Sequence, residues 1–183
     1  MLIIAGRHKG RVLAAPQGLA TRPTADRVRE ALFNILAHGA TELAGARVLD
    51  AFAGSGALGL EALSRGAGQV TFLENDPQAA AIIEANLRKL GAGSQALLLR
   101  ADATRPPKAP APATLVMMDP PYKSDLATLA LPALAAAGWL AEEALVVVEV
   151  AAGEPLKSPL PGWGVTDERA YGAARLVFLR KQP

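Results

Sequence analysis

The sequence predicts an α/β fold: a seven-stranded, mostly parallel sheet with helices on both faces and an antiparallel hairpin at its C-terminal end. Three observations predict it. From residue 46 the chain repeats an apolar run, a turn and an amphipathic stretch, the signature of parallel strands joined by helical crossovers. The first of these turns, Gly54-Ser55-Gly56-Ala57-Leu58-Gly59, has the G-x-G-x-x-G spacing and leads from an apolar run into a helical pattern. The last two apolar runs, about 163–170 and 173–180, are separated only by Tyr171-Gly172, too short a link for anything but a hairpin.

The elements follow in order. Residues 2–14 alternate short apolar and basic stretches and predict a small hairpin, with a linker from Pro16 to Pro23. Thr24 is the expected N-cap of a helix over 25–37, whose apolar stripe is Val28, Leu32, Ile35 and Leu36. Arg27 and Glu30 fall off that stripe. Strands are expected at 47–52, 69–73, 96–100, 115–118 and 144–150, and helices at 58–65, 77–90 and 125–137. Pro77 suits the first turn of its helix, and Asp76 before it suits an N-cap. The expected division is a basic N-terminal extension, 1–23, and one α/β domain, 24–183.

Composition narrows the chemistry. The 183 residues are 51% hydrophobic and 20% charged, as in a globular domain, and no apolar run is long enough to cross a bilayer. With no secretion signal at the start, a cytoplasmic location is expected. The absence of cysteine excludes disulfides, thiolate metal sites and a thiol nucleophile for methylating pyrimidine carbon 5. His8 and His38 are not in a metal-ligand spacing, so no metal is expected. Net charge is +2, but residues 1–30 carry +4 and the remainder −2. A basic arm on an acidic body fits a polyanionic partner; by charge alone, a solvated basic tail fits equally.

The Gly-rich turn alone would suit a nicotinamide or flavin dinucleotide, with Glu74 near the spacing of a ribose-binding acid. Charge argues otherwise. Asp50, Glu74, Asp102 and Asp119 all stand at the ends of predicted strands, where an open α/β sheet binds its ligand. Asp50 would repel a pyrophosphate at that turn. S-adenosylmethionine has no phosphate and carries an ammonium and a sulfonium, both of which an acidic rim attracts. The expected cofactor set is Asp50, Phe52, Gly54, Gly56, Glu74, Asn75, Asp102 and Ala103. Asp50 and the Gly54 and Gly56 backbone would hold the methionine part, Glu74 the ribose hydroxyls, and Asp102 with the Ala103 N–H the adenine. Asp102 can also be read as a plain loop carboxylate.

Asp119-Pro120-Pro121-Tyr122 follows the apolar run 115–118 directly. Two prolines remove two N–H donors and fix φ, leaving the Asp119 carboxylate and the Pro120 carbonyl as a rigid pair of acceptors. Such a pair holds both hydrogens of a base amino group and stabilises the positive charge that develops as its nitrogen is alkylated. Tyr122 can stack on a base drawn out of its helix. Asp119, Pro120 and Tyr122 are the expected catalytic group. The alternative is a strand-ending proline turn with Tyr122 in the core.

These motifs resemble class I methyltransferases that methylate amino groups through an Asp/Asn/Ser-Pro-Pro-Tyr/Phe turn. Ile3–Arg11, Arg22–Asn34 and Phe52–Gly66 are further similar to the signatures of the RsmD family, and the closing strands around Tyr171-Gly172 also fit. The Pro-rich loop 105–112 is shorter than the segment that family often carries. The resemblance implies a Rossmann-like class I methyltransferase fold. It also implies methyl transfer from S-adenosylmethionine to the N2 amino group of a guanine in small-subunit (16S) ribosomal RNA, free or in the 30S subunit, by a monomer. It implies that Arg7, Lys9, Arg11, Arg22, Arg27 and Arg29 hold RNA or order the substrate loop, with Asp26 and Glu30 orienting neighbouring arginines. A DNA adenine or cytosine amino-methyltransferase shares the catalytic turn and is the main alternative. An NAD-type oxidoreductase and a non-catalytic cofactor-binding regulator fit the residues less well.

Overall fold

The computed structural model describes residues 1–16, 23–39, 41–156 and 160–183. Helix α1 spans Pro23–His38 and strand β1 Arg47–Ala51. Helix α2 spans Ala57–Ser64, strand β2 Gln69–Leu73 and helix α3 Pro77–Leu90. After a 3₁₀ turn at Gly93–Gln95 come strands β3 (Ala96–Leu99) and β4 (Ala113–Met118), helix α4 (Leu126–Ala136), and strands β5 (Leu140–Ala151), β6 (Trp163–Tyr171) and β7 (Ala174–Lys181). The strands form one sheet in the order β3-β2-β1-β4-β5-β7-β6. β1 to β5 are parallel, and β7 pairs antiparallel with both β5 and β6. The seven strands and the terminal hairpin are those the sequence predicts.

Alternation along the strands divides the core into two layers. Val48, Val70, Phe72, Leu115, Met117 and Val147 face α1, α2 and α3. Leu49, Val116, Met118, Val146 and Val148 face α4 and Trp139. Strands covered on both faces read as continuous apolar runs, which is why 115–118 and 144–150 stand out in the sequence. β5 begins four residues before the expected run: Leu140 and Ala141 are at least partly buried, but the exposed Glu142 and Glu143 separate them from the apolar run. Two helix starts also test the capping expectations. Asp76 accepts the Ala79 N–H at 2.8 Å and caps α3. Helix α1 begins at Pro23, a residue whose fixed φ suits the first turn, so Thr24 lies inside the helix and not at the N-cap position expected for it. The Pro-rich loop 105–112 is tied down by the Trp139 indole N–H on the Pro107 carbonyl at 2.9 Å and the Ala109 N–H on the Ala137 carbonyl.

The N-terminal segment folds back through an antiparallel bridge between Leu2 and Val12 and buries Ile3 and Leu13 in the α1–α3 core layer. One carboxylate holds it there. Glu61 on α2 is completely buried. It accepts the Ile4 N–H at 2.9 Å, the Ala5 N–H at 3.0 Å and Arg65 Nε at 2.7 Å, and Arg29 of α1 lies 4.0 Å away. Gly6 completes the contact: its φ is +82°, and a Cβ there would stand 1.9 Å from the Ser64 carbonyl oxygen. Glu61→Ala would leave the partly buried Ile4 and Ala5 N–H groups and the Arg65 Nε–H without their acceptor and would remove the carboxylate beside Arg29. It is expected to lower stability in urea unfolding by about 3–5 kcal/mol and to expose residues 1–13 to proteolysis before the sheet.

Candidate active site

The strand order reverses between β1 and β4, and that is where a doubly wound sheet opens a crevice at its carboxyl edge. A cavity of about 940 Å³ lies there, and its walls include Phe52, Gly54, Glu74, Asn75, Asp102, Ala103, Asp119, Pro120 and Tyr122. The structure thus brings nine of the eleven predicted cofactor and catalytic residues to one space. Asp50 and Gly56 are not on its walls.

Asp50 lies underneath the Gly-rich turn. Its carboxyl is buried and accepts the Gly59 N–H at 2.8 Å, so it ties β1 to the first turn of α2. Burial pushes its pKa well up, partly offset by the Gly59 N–H, with the Asp119 and Glu74 charges pushing the same way as burial. The strand alternation that sends Val48 inward sends Asp50 inward as well, and the sequence pattern that placed it at a strand end did not resolve this. Gly56 has φ +77°, and its α-carbon faces Ile83, Leu60 and Phe72 rather than the cavity. Gly59 is also a packing glycine, since a Cβ would stand 2.3 Å from the Phe72 ring.

Glu74 is held for reception. Its Oε2 accepts the Gly54 N–H at 2.6 Å and its Oε1 the Asp76 N–H at 2.8 Å. Each carboxylate oxygen has a second lone pair, so the group is fixed yet still able to take two further donors from a ligand. Beside it, Phe52 has φ +63°, a costly conformation for an aromatic residue. It turns the chain out of β1 and lays the ring on the cavity wall. Asp102 Oδ1 accepts both the N–H and the hydroxyl of Thr104 at 2.8 Å, which lowers its pKa. It is a turn-forming carboxylate that also lines the cavity.

The Asp119–Tyr122 turn leaves β4 on the other side of the crevice. Ser124 Oγ donates to the Pro121 carbonyl at 2.6 Å, and the Lys123 N–H donates to Glu154 at 3.1 Å, with Lys123 at φ +57°. Tyr122 is 46% exposed and its hydroxyl donates to Glu149 Oε1 at 2.7 Å. It is therefore not a core residue. Asp119 is exposed to the cavity, whose walls partly desolvate its carboxyl. That desolvation, with the nearby Glu149 charge, raises its pKa to about 7.

Glu149 is the site residue that motif reasoning missed. Met118 of β4 pairs with Val148 of β5, so the next residues, Asp119 and Glu149, stand side by side. Burial raises the Glu149 pKa, and the Tyr122 hydroxyl pulls it back. The signal was present as one acid in the apolar run Ala144-Leu145-Val146-Val147-Val148-Glu149-Val150, where a charge needs a reason.

The basic residues divide. Arg7, Lys9, Arg11 and Arg27 are exposed, with Arg7 also hydrogen bonded to Gln95. Arg22 lies outside the described residues. Arg29 does not belong to an exposed RNA-facing set. It is 6% exposed, donates to the Leu2 carbonyl at 2.7 Å and pairs with Asp26 at 3.0 Å. It braces α1 against the N-terminal segment, and Asp26 orients it.

Comparison with known proteins agrees with this geometry. Residues 1–180 match the family model described as conserved hypothetical protein 95. Ribosomal RNA small subunit methyltransferase D of Escherichia coli (strain K12) is 39% identical over 170 residues, covering 93% of this chain and 84% of that protein. The protein of the same name from Haemophilus influenzae is 39% identical over 174 residues, covering 93% and 88%. The solved structure of yhhF from Escherichia coli superposes with a TM-score of 0.86 at 36% identity, covering 100% of this chain and 98% of that one. The chain belongs to the conserved hypothetical protein 95 family and, with these relatives, to the RsmD-type methyltransferases of Rossmann-like fold.

Proposed function

We propose that this methyltransferase transfers the methyl group of S-adenosylmethionine to the exocyclic N2 amino group of a guanine in small-subunit (16S) ribosomal RNA, in the cytoplasm and as a monomer. The observation that carries the reading is the Asp119–Tyr122 turn at the wall of the switch-point cavity, with an exposed aromatic ring beside a carboxylate. The names of the relatives, which specify small-subunit ribosomal RNA, support the RNA over DNA as acceptor.

The residues present fit the cofactor. The cavity is acidic, as a ligand with an ammonium and a sulfonium requires. Glu74, held by two backbone N–H groups, would accept the ribose hydroxyls beside Asn75. Asp102 and the Ala103 N–H would meet the adenine, and Phe52 and Gly54 the methionine part. Asp50 and Gly56 would act from beneath, by fixing the turn. When bound, the cofactor supplies an electrophilic methyl group whose bonding pair leaves with sulfur.

The chain's own task is to position the acceptor. The Asp119 carboxylate and the Pro120 carbonyl would take the two amino hydrogens, aiming the nitrogen lone pair at the methyl group and stabilising the charge that develops on nitrogen. Tyr122 would stack on the extruded base. The exposed Arg7, Lys9, Arg11 and Arg27, with Arg22, would contact phosphates, which position the RNA without reading its sequence. In this reading residues 1–23 are the RNA-contacting extension of a single catalytic domain over 24–183.

Two outcomes test it. Asp119→Ala is expected to lower transfer of labelled methyl groups to small-subunit rRNA by about a hundredfold or more, while cofactor affinity by calorimetry stays near that of the unmodified protein. Equal activity of the variant would overturn the assignment. The pH profile carries a second sign. Only ionised Asp119 stabilises the positive charge that develops on nitrogen, so the rate at saturating cofactor should rise through about pH 7 and level off above it. The charged groups bearing on Asp119 are Glu149 and, beneath the turn, Asp50. Removing the Glu149 charge should therefore move that midpoint to lower pH.

A further inference from the structure

A second cavity, of about 170 Å³, lies on the far side of the Asp119–Tyr122 turn. Its walls include Pro120, Pro121, Tyr122 and Glu149, all shared with the larger cavity, together with Ser124 and Asp125. The catalytic turn and Glu149 thus form the septum between a large space and a small one. Glu149 is half-buried in that septum, on β5, where its backbone pairs with Leu176 of β7 and lies one residue past the last pair with β4. Its Oε1 takes the Tyr122 hydroxyl. Among the described residues Oε2 receives no further hydrogen bond.

The parallel register sets Glu149 beside Asp119 at the spacing of adjacent strands, about 4.8 Å. A base held by its amino group at Asp119 and stacked on Tyr122 would therefore turn the next atom of its hydrogen-bonding edge toward Glu149. The chemistry of that atom differs among bases. In guanine the atom next to the amino group is N1–H, a donor. In adenine it is N1, and in cytosine N3, both acceptors. A carboxylate satisfies the first and faces the other two lone pair to lone pair, leaving both sides unpaired in a desolvated site.

We propose that Glu149 is a specificity-determining residue that accepts the N1–H of the target guanine and so selects guanine among the bases that bear an amino group. The proposal rests on the reading of the site given above and adds to it the group that distinguishes the acceptor. It accounts for an acid within the otherwise apolar run Ala144–Val150. It also accounts for the Tyr122 hydroxyl contact, which fixes one oxygen of Glu149 and so orients the other.

The test compares two RNAs. One carries guanosine at the methylated position. The other carries 2-aminopurine, introduced there by splinted ligation, which keeps the 2-amino group but has an unprotonated N1. The wild-type enzyme should methylate the guanosine RNA with the higher kcat/KM, by at least about tenfold. Glu149→Gln keeps an acceptor for the Tyr122 hydroxyl and gains an amide N–H that can pair with an unprotonated N1. In that variant the guanosine to 2-aminopurine ratio should fall by about tenfold or more, with cofactor affinity unchanged. An unchanged ratio would overturn the proposal. So would loss of activity on both RNAs together, because a residue that reads only N1–H leaves 2-aminopurine methylation intact. Failure of the wild-type enzyme to methylate the guanosine RNA at all would instead count against the underlying functional reading.

Discussion

The pairing of β1 with β4 is the constraint on which the site depends. These strands are far apart in sequence and adjacent in the sheet, Ala51 lying against Met118. Because the helical connections run to opposite sides from that pair, the chain leaving β1 and the chain leaving β4 diverge and a crevice opens between them. One side of it is the Gly-rich turn, with Asp50 pinning Gly59 from below and Glu74 pinning Gly54 from the side. The other is the proline-stiffened turn beginning at Asp119. Carboxylates brought together in this way repel one another and lose solvation, and the raised pKa values of Asp50, Asp119 and Glu149 record that cost. For Asp119 the sign is definite. A carboxyl held above its ordinary value stabilises the fold most at acid pH, and that contribution is lost as pH rises through about 7. The site sacrifices stability to keep acceptors where an acceptor is needed.

A different carboxylate serves the fold. Glu61 is also buried, yet backbone N–H groups and two arginines surround it. Those donors compensate its burial. It fastens the N-terminal segment to α1 and α2, and so fixes where Arg7, Lys9 and Arg11 emerge. The two carboxylates show how one side-chain type divides by environment: donors around Glu61 make it structural, and the scarcity of donors beside two prolines leaves Asp119 available for a ligand.

The sheet was legible in the sequence because most of its strands are buried on both faces and the helices α1 and α3 each have one apolar stripe. The Asp76 cap and the terminal hairpin were legible through local chemistry alone. What escaped depends on tertiary contact. Asp50 stood at the expected strand end, but only the approach of Gly59 decides that its side chain points under the turn. Arg29 counted as basic charge until Asp26, Glu61 and the Leu2 carbonyl closed around it. Glu149 is separated from Asp119 by a helix and most of a strand, and only the β4–β5 register makes them neighbours. The family resemblance supplied the acceptor class, which local patterns could not separate between RNA and DNA.

The central claim is that the Asp119–Tyr122 turn presents a guanine amino group of small-subunit rRNA for methylation. It is tested most directly by incubating the protein with labelled S-adenosylmethionine and rRNA, 30S particles or DNA, then digesting each to nucleosides. Label recovered as N2-methylguanosine from rRNA or 30S particles is the predicted result. Label recovered only in DNA, as an N6-methylated adenine or N4-methylated cytosine, would contradict it.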